Sequence, residues 1–143
     1  MGVPGSVLFV CRHNAIRSPM AAALARATFP AIYSRSAGIE VGQADPFAAA
    51  VMDELGFDIS GRRPRSIAEL ADTGFDLVVT LAPEAHHHVL DLARTQSFDV
   101  EYWPTLDPSV TQGSRAQILD SYRACRDALH HAIRARLAGR PGD

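Results

Sequence analysis

The chain has 143 residues, 47% of them apolar and 21% charged, with a formal net charge of −2. That is enough for one domain over residues 1–143 with its own core, and too little for two. A balance so near neutral gives no global field to draw in nucleic acid or an anionic membrane, so any anion must be captured by a local site.

Two cysteines, Cys11 and Cys125, are too few for a disulfide scaffold and point to a reducing, cytoplasmic setting. Residues 1–6 are expected to form a short flexible leader, although Gly2 formally fits an acylation pattern. Val7–Val10 is a continuous run of β-formers, as in a strand buried on both faces. It is too short to span a membrane and lacks the charged region that precedes the core of a signal peptide. Ser18-Pro19 reads as an N-cap and first helical residue, followed by the strong helix formers of Met20–Arg26. Ala31–Ala37 is a weaker strand ended by Gly38. Asp45-Pro46 opens a helix over Phe47–Leu55 that Gly56 closes, and Ser66–Glu69 is a capping box for a short helix. Phe75–Leu81 predicts a strand, Pro83–Thr95 a helix and Phe98–Trp103 a strand. Ser114 to Gln117 caps a long final helix stopped by Gly139 and Pro141.

Strands alternating with helices predict an α/β fold: one four-stranded parallel sheet, helices on both faces, right-handed crossovers. In such sheets ligands sit beyond the carboxyl ends of the strands. The segments after Val10, Leu81 and Trp103 are therefore where a site is expected.

The segment Cys11-Arg12-His13-Asn14-Ala15-Ile16-Arg17-Ser18 lies at such a strand–helix junction. A loop there can turn its backbone N–H groups toward one point, and the following helix adds the positive end of its dipole. The result is an anion cradle that needs no net positive charge. A cysteine entering the cradle meets a field that favours its thiolate, and Ser18 can donate a hydrogen bond to it. The guanidinium of Arg17 can hold two oxygens of a tetrahedral anion at once. Thiolate, amides and arginine together specify in-line attack on phosphorus. Cysteine and arginine six apart recur by chance, but the strand–helix setting and an asparagine able to take φ > 0 give the spacing its meaning.

Asp107-Pro108, after the last predicted strand, reads equally as an ordinary turn or as a carboxylic acid presented to the cradle. His86-His87-His88 point in different directions on a helix and read as a solvated face, with no metal site expected. Cys125 falls on the stripe Ile118, Tyr122, Cys125, Leu129, Ile133 and reads as a small core residue. Arg62-Arg63-Pro64-Arg65 and Gln112–Arg115 could rim a substrate entrance, but solvated charge is their default reading.

Val7–Arg26 resembles the signature of the low-molecular-weight protein tyrosine phosphatases and of the arsenate reductases that share their fold. The likeness continues through Ser36-Ala37-Gly38, Asp45-Pro46 to Asp58-Ile59-Ser60-Gly61, Phe75–Thr80 and Asp107-Pro108. The resemblance implies Cys11 as nucleophile, Arg17 as phosphate clamp and Asp107 as general acid. It further implies loop support from Asn14 bonded to Ser36, a thiolate stabilised by Ser18, and phosphate bound along Arg12, His13, Asn14, Ala15, Ile16, Arg17 and Ser18. No cofactor is implied. The substrate would be a phosphorylated protein, a small phosphate ester or arsenate, with inorganic phosphate or sulfate also bound by the loop.

The chain departs from the family at several positions. Ile16 replaces a second cysteine, His13 a glycine, and Arg62 a histidine that supports the loop asparagine. Ser109-Val110 and Ile39-Glu40-Val41-Gly42 stand where the phosphatases carry the aromatic walls of a phosphotyrosine slot. Leu81-Ala82-Pro83-Glu84 lacks the cysteines of the thioredoxin-coupled reductases, which excludes their internal relay. The expectation is a phosphomonoesterase acting through a phosphocysteine. An arsenate reductase coupled to an external thiol or redoxin ranks second. A phosphate-binding module without turnover ranks third, since both Cys11 and Asp107 are kept.

Overall fold

A computed structural model describes residues 2–70 and 74–139. The first strand, β1 (Ser6–Cys11), alternates its side chains between two apolar layers. Val7, Phe9 and Cys11 face one core, while Leu8 and Val10 face the other. Both faces are thus covered, which is why the run is continuous in hydrophobicity rather than alternating. The remaining strands are β2 (Tyr33–Gly38), β3 (Leu77–Thr80) and β4 (Asp99–Tyr102). All pair in parallel in the order β2-β1-β3-β4.

Helices α1 (Arg17–Thr28), α2 (Pro46–Asp53) and α4 (Arg115–Leu137) enclose the larger core with Met20, Leu24, Met52, Tyr122 and Leu129. Helix α3 (Pro83–Ala93) covers the other face through Ala85 and Val89. The fold is therefore the expected four-stranded parallel sheet with helices on both faces. Strand order reverses at β1, so the crevice at its carboxyl end opens between the crossovers to β2 and β3, and the loop after Cys11 lies there.

Local chemistry explains most boundaries. Asp45 accepts from the Phe47 and Ala48 amides at 2.8 and 3.1 Å and caps α2, and its other oxygen accepts from the Tyr122 hydroxyl at 2.8 Å. Burial and this carboxylate push the Tyr122 phenol up. Ser114 and Gln117 form the expected capping box on α4, and Ser66 and Glu69 form one on a 3-10 turn at Ile67–Glu69. The α4 helix ends at Leu137; Pro141 lies outside the described residues. One boundary differs in kind. The first helix starts at Arg17 rather than after Ser18, and its N-cap position, Ile16, provides no side-chain bond. The Ser18 hydroxyl is drawn instead into the loop described below. Among the described residues, no helix is long and apolar enough to cross a membrane.

Candidate active site

The loop between β1 and α1 is held from outside by its own carbonyls. The carbonyl oxygens of Cys11, Arg12 and His13 accept from the amides of Ile39, Glu40 and Gly42 at 3.2, 2.9 and 3.0 Å. The Asn14 carbonyl accepts from Arg62 Nη1 at 2.8 Å. In a planar trans peptide the N–H of each residue points opposite the preceding C=O. The amides of Arg12, His13, Asn14 and Ala15 are therefore turned to the inner side of the loop. There they join the uncapped first turn of α1, as an anion cradle requires.

Asn14 is the centre of this arrangement. It is fully buried and sits at φ 56°, in the left-handed region asparagine tolerates. Its Nδ2 donates to Ser18 Oγ at 2.9 Å and Ser36 Oγ at 3.0 Å. Its Oδ1 accepts from the Arg65 amide at 2.9 Å and from Arg62 Nη2. An amide side chain has two donors and two acceptor sites, and all four are used. Ser18 Oγ lies 2.9 Å from Cys11 Sγ and 3.3 Å from the Ala37 carbonyl. Because Asn14 already donates into that oxygen, the hydroxyl proton is directed to the sulfur or to the carbonyl.

Gly38 completes the support by being small. A Cβ there would lie 2.6 Å from the Glu40 carbonyl oxygen and 2.7 Å from the Asn14 nitrogen. The chain after β2 thus packs directly on the loop backbone, where no side chain fits.

Cys11, His13, Ala15, Ile16, Arg17, Asp107 and Ser109 surround one small concavity of about 50 Å³. Arg17 Nη1 donates to the Thr105 carbonyl at 2.9 Å, which aims the guanidinium and leaves Nε and Nη2 for a ligand. Its Nη2 lies 3.9 Å from Asp107 Oδ2. The other oxygen of Asp107 accepts from the Ser109 amide at 2.9 Å and its hydroxyl at 2.7 Å, capping a 3-10 turn at Pro108–Val110. Asp107 is thus both the turn residue and a wall of the concavity: one oxygen builds the turn, the other faces Arg17.

Around the mouth the loop carries charge. Arg12 pairs with Glu40 at 3.8 Å and Glu84 at 3.4 Å, and His13 Nε2 lies 3.3 Å from Glu40 Oε2. Among the described residues, no Phe, Tyr or Trp side chain lines the concavity to replace the wall missing from the sequence. Val110 is exposed, Ser109 lines the concavity, and the Tyr102 ring is stacked on His86.

Two expectations need correction. Arg62 is not a solvated charge. It reaches inward to both the carbonyl and the side chain of Asn14, at the position that the resemblance gives to a supporting histidine. Burial lowers its guanidinium to about 10, an effect opposed by Cys11 and reinforced by Arg65 and Arg26. His86 is not part of a solvated face either. It is half-buried, stacks on Tyr102, and its Nδ1 lies 2.9 Å from Thr80 Oγ1. His87 and His88 are exposed. Among the described residues no three His, Cys, Asp or Glu side chains gather as a metal site. Cys125 is buried on α4 with Tyr122, Leu129 and Ile133, and burial pushes its thiol up to about 12.

Sequence reasoning missed the roles of Arg62, Thr105 and Gly38. The signal for Arg62 was the resemblance, which gives its position to a histidine that supports the loop asparagine. A backbone carbonyl such as that of Thr105 leaves no trace in residue type.

The comparisons with known proteins fit this geometry. The family model of the low molecular weight phosphotyrosine protein phosphatases matches residues 6–140. The glutaredoxin arsenate reductase of Synechocystis sp. is 37% identical over 133 residues, covering 92% of this chain and 95% of the relative. The probable low molecular weight protein-tyrosine-phosphatase EpsP of Ralstonia nicotianae is 38% identical over 134 residues, covering 90% and 86%. Among solved structures, an arsenate reductase in its phosphate-binding state superposes with a TM-score of 0.72 at 28% identity, covering 92% of this chain and 95% of the other. With the loop, its asparagine brace and a model match over nearly its whole length, the chain belongs to the low molecular weight phosphotyrosine protein phosphatase family.

Proposed function

We propose that this protein is a cysteine-dependent phosphomonoester hydrolase that works through a phosphocysteine. The observation that carries the reading is the convergence of Cys11, Arg17, Asp107 and inward-turned loop amides on one small concavity. The amides and Arg17 bind the equatorial oxygens of the phosphoryl group, leaving phosphorus in line with Cys11 Sγ. The thiolate, stabilised by the Ser18 hydroxyl, forms the S–P bond as the ester P–O bond breaks. Asp107 passes its proton to the departing oxygen. In the second step water attacks phosphorus, Asp107 takes the water's proton, the S–P bond breaks and the thiolate returns. Inorganic phosphate and sulfate fit the same cradle as product and product mimic.

A second reading is supported by the Synechocystis relative named as an arsenate reductase, which is similar across 92% of this chain. In that reading the Cys11 thiolate displaces an arsenate oxygen as water to form an S–As bond. A thiol then attacks the Cys11 sulfur, so that a disulfide forms, the S–As bond breaks and its electron pair leaves with arsenic as arsenite; a second thiol then frees Cys11. The attacking thiol is external, because Cys125 is buried and its thiol is held protonated. The two readings separate in one comparison. The proposed enzyme hydrolyses p-nitrophenyl phosphate with no thiol system present. Thiol-coupled arsenate turnover beside negligible ester hydrolysis would reverse the order.

A further inference from the structure

Between the segment that carries Asp107 and α4 runs a groove of about 510 Å³ that the catalytic steps above do not use. That volume is in the range of organic ligand sites. Its walls are Trp103, Leu106 and Val110 on the loop and Ala124 and Ala128 on the helix, with Leu129 beneath. Leu106 and Val110 are 91% and 75% exposed, high for large apolar side chains on one short loop. The loop is fixed at both sides of the groove. Thr105 is tied to Arg17 at 2.9 Å, and Thr111 Oγ1 lies 2.6 Å from Ser121 Oγ on α4.

Asp107 lines both the anion concavity and this groove. A group that has its phosphoryl end in the concavity must present its ester oxygen at Asp107, so the organic part leaves past Asp107, which also borders the groove. The groove follows α4 from Ser121 to Ala132, a length of about 16 Å at 1.5 Å per residue. It is long, and its lining is mostly apolar, with Trp103 beside Leu106, Val110, Leu129 and three alanines. This shape suits an extended chain better than a single ring.

Resting on the phosphomonoesterase reading, we propose that the groove between the Asp107 loop and α4 is the leaving-group subsite, and that it selects phosphate monoesters of extended aliphatic alcohols. An alkoxide is a poor leaving group and needs its proton during P–O cleavage. The acid stands at the mouth of the subsite, where that oxygen passes.

A series of n-alkylphosphonates from methyl to octyl tests this, because they carry the anion and the chain without a cleavable ester. Binding is measured by calorimetry and, in parallel, as inhibition of p-nitrophenyl phosphate hydrolysis. The expected result is about fourfold tighter binding for each methylene added while the chain is being buried. Ala128→Phe, at an exposed helix position, fills the groove and should flatten that dependence while leaving the affinity for inorganic phosphate unchanged. Leu106→Glu, at a position too exposed to govern folding, should weaken the long chains and spare methylphosphonate; it decides the matter should Ala128→Phe not fold. Wild-type affinity independent of chain length, or a dependence that both variants leave intact, would overturn the proposal. The two readings fail separately. Chain-length-dependent binding without ester hydrolysis removes the hydrolase, whereas hydrolysis without chain-length dependence removes the subsite.

Discussion

Asp107 holds the Ser109 amide and hydroxyl with one oxygen and faces Arg17 with the other. From the sequence it could be a turn residue or an acid; in the structure one oxygen builds the turn and the other faces the concavity, where the proposed acid would stand. Asp107→Asn keeps the size and the turn but removes proton transfer. The expected loss is about 10²–10⁴ in kcat for alkyl phosphates and much smaller for p-nitrophenyl phosphate, whose phenolate needs little protonation. Equal losses for both substrates would assign Asp107 to the turn alone. Cys11, Arg17 and the φ > 0 asparagine were legible because their spacing is local and their chemistry is written in residue type. Arg62 was legible only through the resemblance, because an arginine followed by Arg63, Pro64 and Arg65 looks on its own like any exposed basic stretch. Only the fold brings it across 48 positions to Asn14.

At the scale of elements, the pattern of buried strands and capped helices predicted the sheet and helices with ends shifted by a residue or two. The start of α1 was misplaced for a physical reason. Ser18-Pro19 carries the residue types of a cap, but the Ser18 hydroxyl has better partners in Cys11 and Asn14 than in its own helix. The first turn is thereby left for an anion. The junction between β2 and the loop is equally specific, because Gly38 lets the two backbones touch. Gly38→Ala should displace the Glu40 carbonyl or the Asn14 amide, since a Cβ would come within 2.6 and 2.7 Å of them. A destabilisation of about 1–3 kcal/mol is expected from such overpacking, together with a loss of turnover greater than the loss of folded protein. Urea midpoints beside kcat per folded molecule check this. Full activity in the variant would mean that the loop is not supported from this side.

Across the whole molecule, a chain with net charge −2 is proposed to bind an anion through loop amides, a helix end and one arginine that the fold gathers at the point where strand order reverses. A ligand bound only by the native state stabilises the fold by mass action. Phosphate at a hundredfold excess over its Kd should add about 2.7 kcal/mol, a rise in Tm of roughly 5–10 °C for a domain of this size. Arg17→Ala should remove most of that rise, and an unchanged rise would place the anion elsewhere.

The covalent intermediate is the most direct consequence of this arrangement. Rapid acid quench of the wild-type protein during p-nitrophenyl phosphate turnover, followed by peptide mass analysis, should find one phosphoryl group per chain on Cys11. The Cys11→Ser variant should carry none and release no p-nitrophenol, while still binding phosphate. Release of p-nitrophenol by Cys11→Ser at the wild-type rate, or turnover with no phosphoryl group ever found on Cys11, would contradict the account.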